Sequence, residues 1–132
     1  MLSRIRIVAF AIIGVIPMAV AAQAADQAEQ KYPDVIAAKV RTSGGNSFDF
    51  DVTISSPYDT PRRYADAFRV TDRDGKVYGE RTLFHDHASE QPFTRDLYAV
   101  KIPGTVRVVV VQGRDQRFGY GGKTVEVSLP GR

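Results

Sequence analysis

Cysteine and tryptophan are absent from this 132-residue chain, and its two methionines, Met1 and Met18, both fall in an apolar amino-terminal segment. Without thiols there is no disulfide scaffold, no thiol redox centre and no iron–sulfur or blue-copper site, and no cysteine is present to carry a lipid. The lack of methionine beyond the first segment excludes a methionine-rich Cu(I) carrier. A dominant charge is also missing. The net charge of +3 includes Arg4 and Arg6, and the rest of the chain is close to neutral, which argues against a nucleic-acid binder.

The amino terminus reads as an export signal over residues 1–24. Arg4 and Arg6 form a basic start, the run from Ile7 to Ala22 is apolar, and Ala22-Gln23-Ala24 has the small-x-small pattern of a cleavage site. Gly14, Pro17 and the alanine-rich end make a poor spanning helix, so no stable membrane anchor is expected after cleavage. Residues 25–34 read as a polar leader or frayed terminus, stopped by Pro33. Residues 35–132 read as one domain, periplasmic or secreted.

In that domain, alternation with a period of two dominates. Phe48, Phe50, Val52 and Ile54 fall on one face, and Asp49, Asp51, Thr53 and Ser55 on the other. Further strands are expected at Ile36 to Arg41, Tyr64 to Thr71, Val77 to Phe84, Phe93 to Tyr98, Val106 to Val111 and Thr124 to Leu129. Turn residues separate them, among them Ser43-Gly44-Gly45-Asn46, Asp72-Arg73-Asp74-Gly75 and Pro103-Gly104. The unbroken valines from Val108 to Val111 suggest a strand buried on both faces. About seven short strands without an amphipathic helix predict an all-β antiparallel sandwich of immunoglobulin or fibronectin type III character. Its core is expected around Phe48, Phe50, Phe68, Leu83, Phe93 and Val108.

Both histidines lie in the segment from Leu83 to Arg95. In an extended chain, His85 and His87 project from the same side, and a turn after His87 would bring Glu90 beside them. Two imidazoles and a carboxylate suit Zn²⁺ or Cu²⁺, the only cofactors the sequence suggests. The same residues, with Asp86, equally suit local hydrogen bonding, pH sensing or contact with a protein partner. Pro92 and Phe93 are expected to anchor the exit of the segment, with the phenyl ring in the core.

Two other patterns dissolve on inspection. Asp72-Arg73-Asp74-Gly75 lacks the later ligands of a calcium loop and reads as a hairpin turn. Gly121-Gly122-Lys123-Thr124 resembles the end of a phosphate loop, but Arg117 stands where its first glycine belongs. The segment leads into a strand-like run rather than a helix, so it reads as a glycine-rich loop between the last two strands. Arg114, Arg117, Phe118 and Tyr120 interleave cations with aromatic rings and offer a second surface for a protein or glycan. Arg62 and Arg63 either extend that surface or cover the end of the sandwich. No Gly-x-Ser-x-Gly motif is present, and a hydrolase would need Ser89 or an acid pair set beside a histidine.

Tyr58-Asp59-Thr60-Pro61, Arg63-Tyr64-Ala65-Asp66, Val77-Tyr78-Gly79, and His85-Asp86-His87 with Glu90-Gln91-Pro92-Phe93 together resemble a family of small exported bacterial proteins of unassigned function. The resemblance runs from Phe48 to Leu129 and implies a single-domain exported sandwich. The expectation is thus a non-enzymatic binding module presenting His85, Asp86, His87 and Glu90 to a periplasmic protein partner or a divalent metal.

Overall fold

The structure is a computed structural model that describes Ala11, Gly14 and residues 29–132. Apart from those two positions, the export signal and the first part of the polar leader therefore lie outside the described residues. Seven strands are present: β1 Asp34–Gly44, β2 Ser47–Ser55, β3 Ala65–Thr71, β4 Val77–Thr82, β5 Phe93–Lys101, β6 Val108–Asp115 and β7 Gly119–Ser128. They form a three-stranded sheet in the order β1-β2-β5 and a four-stranded sheet in the order β4-β3-β6-β7. All pairings are antiparallel.

One hydrophobic core joins the two sheets. Phe48, Phe50, Val52 and Ile54 of β2, each at most 1% exposed, meet Phe68 and Val70 of β3 and Val109 and Val111 of β6. The alternation in β2 fixes its register, since a slip of one residue would turn four large apolar side chains into water. Leu83, Ile102 and Leu129 close the ends of the core from the connecting segments.

β6 differs from the expected strand buried on both faces. Val109 and Val111 enter the core, while Val108 and Val110 lie half-buried on the outward face of the four-stranded sheet. Their partial cover comes from the neighbouring strands: Val110 pairs with Thr71 on one side and Glu126 on the other. The core position expected at Val108 is taken by Val109.

The β3–β4 connection is the expected turn. Asp72 Oδ1 accepts the N–H groups of Asp74 and Lys76, both at 2.9 Å, and Gly75 supplies the positive φ of 90° that the turn needs. The glycines near the carboxyl end serve a different purpose from the loop expected there. β7 already begins at Gly119, so Gly121 and Gly122 lie inside a strand. Their missing side chains make room for the end of the polar leader. Tyr32 sits against Gly121, and Pro33, itself fully buried, against Gly113. A Cβ on Gly113 would stand 2.7 Å from Pro33 Cγ, inside any real contact distance. Gly113→Ala should therefore lower stability by about 1–3 kcal/mol, the usual cost of overpacking, as read from the midpoint of chemical denaturation.

Candidate functional site

The β2–β3, β4–β5 and β6–β7 connections gather at one end of the two sheets. The first two are joined by reciprocal side-chain bonds. Asp59, 4% exposed, accepts the N–H of Ala65 through Oδ1 and the N–H of His87 through Oδ2, each at 3.0 Å. From the other loop, Gln91 accepts the N–H of buried Ser56 at 2.8 Å and donates through Nε2 to Ser56 Oγ and to the His87 carbonyl. Hydrogen bonds to a buried carboxylate are among the stronger ones in a protein, and here they replace the ladder that neither loop has.

These bonds set the posture of the histidine segment. The His87 ring is 5% exposed and stacks on Phe93, with centroids 3.9 Å apart and planes 11° apart. Phe93 is itself 1% exposed, so the phenyl ring fills the core as expected. Burial, and then the charges of Arg95 and His85, hold the His87 imidazole below its ordinary pKa against the opposing pull of Asp59 and Glu90. The His85 ring lies 4.9 Å from that of His87, and its Nδ1 faces the Asp86 carbonyl at 2.9 Å. Asp86 turns its carboxylate onto the N–H of Ala88. Glu90 pairs with Arg95 at 3.0 Å, which holds its carboxyl below the usual range. The structure thus brings His85 and His87 together and commits Glu90 to a guanidinium. Among the described residues, no three histidine, aspartate or glutamate side chains converge as a metal-binding group.

Phe84 escaped the sequence reading. Its backbone is held, since its carbonyl accepts the Tyr64 hydroxyl at 3.3 Å and the preceding Leu83 N–H donates to the Asp66 carbonyl at 2.8 Å. Its ring is nevertheless 84% exposed. The signal lay in the alternation: Leu83 and Phe84 are adjacent, so only one can face the core, and Leu83 does. Phe84, Arg81 and Arg95 line a small pocket of about 170 Å³ together with both histidines. A larger open cleft, about 620 Å³ and lined by Lys76, Tyr78, Lys101 and Ile102, lies at the opposite end, and none of the candidate metal or partner residues from His85 to Glu90 or from Arg114 to Tyr120 reaches it.

The residues from Arg114 to Tyr120 are a tight hairpin rather than one loop. Arg114 and Tyr120 are paired positions on β6 and β7. Arg114 forms an ion pair with Asp66. Tyr120 lies under the Arg69 guanidinium at 3.7 Å and donates its hydroxyl to Glu80. Of the four candidate residues only Arg117 and Phe118 are exposed, and the Phe118 ring leans edge-on against Tyr32. Arg63 covers the end of the sheets, one of its two anticipated roles. It sits over the Tyr58 ring at 4.2 Å, donates to the Gln30 and Lys31 carbonyls, and pairs at 3.1 Å with the fully buried Asp115. Ser89 is exposed, and no hydrogen bond joins its hydroxyl to a histidine among the described residues.

A protein of Halomicrobium mukohataei with the printed name "Putative lipoprotein" is 36% identical to this chain over 94 residues. The match covers 71% of this chain and 46% of that protein, so the chain spans about half the length of the curated relative it matches. No family model matches the sequence. No solved structure matches it either.

Asp115 supplies a pH test of this end. Burial alone would raise its carboxyl pKa, but the bonds from the Phe118 N–H, the Arg117 N–H and Arg63, with the Tyr58 hydroxyl nearby, outweigh it and hold the carboxyl below its ordinary value. A carboxylate depressed in the folded state adds stability above its unfolded pKa, and that stability is lost as pH falls through the folded value. The gap in melting temperature between wild type and Asp115→Asn should therefore be widest above about pH 4 and close as acid is added. A gap independent of pH would show that the charge of Asp115 carries none of it.

Proposed function

We propose that this chain is an exported, non-enzymatic binding module of immunoglobulin or fibronectin type III character, and that it engages a protein partner through the tip of the β4–β5 loop. The strand order β1-β2-β5 against β4-β3-β6-β7 supports the fold assignment as a three-plus-four sandwich. The basic, apolar and small-x-small segments before Ala25 support export to the periplasm or beyond. The name of the relative points the same way, although this chain has no cysteine to carry a lipid.

The observation that carries the functional reading is Phe84, an aromatic ring 84% exposed on backbone that is held in place. Leaving a phenyl ring in water forgoes about 1.5–3 kcal/mol that its burial would return. An aromatic side chain on a braced loop is a ready anchor, because little ordering remains to be done on binding. His85 and Asp86 stand beside it as polar neighbours, while Arg114 of the β6–β7 hairpin is committed to Asp66.

A photoreactive benzoylphenylalanine placed at position 84 should give a discrete adduct in the exporting cell, whereas the same probe at Thr105, at the opposite end, should give none. Phe84→Asp should abolish competition for that adduct while leaving stability within about 0.5 kcal/mol of wild type, as for an ordinary surface change. Equal labelling from positions 84 and 105 would refute the assignment.

A further inference from the structure

We propose that His85 and His87 form a labile site for a divalent transition-metal ion, with Cu²⁺ the strongest ligand, His85 binding through Nε2 and His87 through its unpartnered Nδ1. The proposal is independent of what Phe84 contacts.

Three observations converge on it. The first is spacing. Two imidazoles bound side by side to one ion, each with a nitrogen about 2.0 Å from the metal, have ring centroids roughly 5 Å apart, and the two rings here stand at 4.9 Å. The second is the tautomer of His85. A carbonyl oxygen only accepts, so the Nδ1 that faces the Asp86 carbonyl carries the proton. That leaves the lone pair on Nε2, and a backbone carbonyl behind a ligating imidazole is the usual second support of a metal site. The third is an orphan. His87 is 5% exposed, and its Nδ1 is buried with no hydrogen-bond partner in the protein. Such an atom costs free energy unless something completes it.

The surroundings suit a cation better than the two nearby arginines first suggest. Arg95 is paired with Glu90 and Arg81 with Asp96, so the pocket offers ion pairs rather than bare positive charge. Asp59 adds a carboxylate against the His87 backbone. Stacking on Phe93 fixes the plane of the His87 ring, so the pair is oriented before the ion arrives. Two protein ligands leave the remaining positions to water, so the ion exchanges readily and is not a structural metal of the fold. Imidazole donors accept Zn²⁺, Ni²⁺ and Cu²⁺, and affinity among these peaks at Cu²⁺.

These are the only two histidines in the chain, and it contains no cysteine, which makes the test specific. The full chain would be titrated with Cu²⁺ alone by calorimetry, and the one-equivalent complex examined by electron paramagnetic resonance. The expected result is a single saturable equivalent whose spectrum carries nitrogen splitting from two imidazoles. His85→Ala and His87→Gln should each weaken binding about 10- to 100-fold or more and reduce the imidazole count to one. His85 is exposed, so His85→Ala keeps the fold and decides the matter even if His87→Gln does not. Cu²⁺ binding is read on the isolated chain with no partner present, so its outcome is separate from that of the crosslinking at position 84. Absence of binding by the folded chain, or a Cu²⁺ affinity unaltered by His85→Ala, would overturn the proposal.

Discussion

The buried carboxylate of Asp59 is the constraint on which the functional end of this protein depends. One oxygen holds the first amide of β3 and the other holds the amide of His87, 28 residues beyond Asp59. Both amides would otherwise be unpaired at the edge of a hydrophobic core, at a cost of about 1–3 kcal/mol each. The single side chain therefore does for two loops what a sheet ladder does for two strands. Gln91 reciprocates from the opposite loop through Ser56 and the His87 carbonyl. Everything notable in the β4–β5 segment depends on this bracing: the stacking of His87, its nearness to His85, and the outward projection of Phe84.

The ends of the two sheets show how a chain without disulfides closes its core. At one end Arg63 lies over Tyr58 and pairs with Asp115, drawing in the carbonyls of Gln30 and Lys31. At the other, the Arg132 guanidinium lies 4.8 Å from the Phe48 ring and donates to the carbonyls of Ile102 and Val106. In both cases a planar cation with several donors covers an aromatic edge of the core and satisfies loop carbonyls at once, which a lysine cannot do. Across the edge between β4 and β5, Arg81 pairs with the Asp96 carboxylate and donates to the Asp96 carbonyl.

The strands were legible because one face of each must be buried, and the period-two pattern from Phe48 to Ile54 carries that requirement directly. The same logic over-read the valines of β6, where half-covered outward positions look like core positions. Gly121 was legible as a glycine but not as a seat for Tyr32, because the neighbour that requires it lies 89 residues away in the chain, a separation also spanned by the bond from the Lys123 N–H to Asp34. The histidine pair was visible as spacing. Its third expected member, Glu90, turned to Arg95, a choice set by which cation the strand after the loop presents. Asp59 stood out only as one residue of the Tyr58-Asp59-Thr60-Pro61 segment, since nothing local distinguishes a carboxylate facing water from one facing two distant amides.

A loop braced from below and bare at its tip is suited to recognition, because its shape is settled before a partner or an ion arrives. That claim rests on the Asp59 to His87 bond. Hydrogen–deuterium exchange followed by NMR in the native state tests it most directly. If the account is right, the His87 amide is protected to a degree comparable with Ala65, which shares the same carboxylate. Exchange of His87 as fast as that of the exposed Ser89 amide would contradict it.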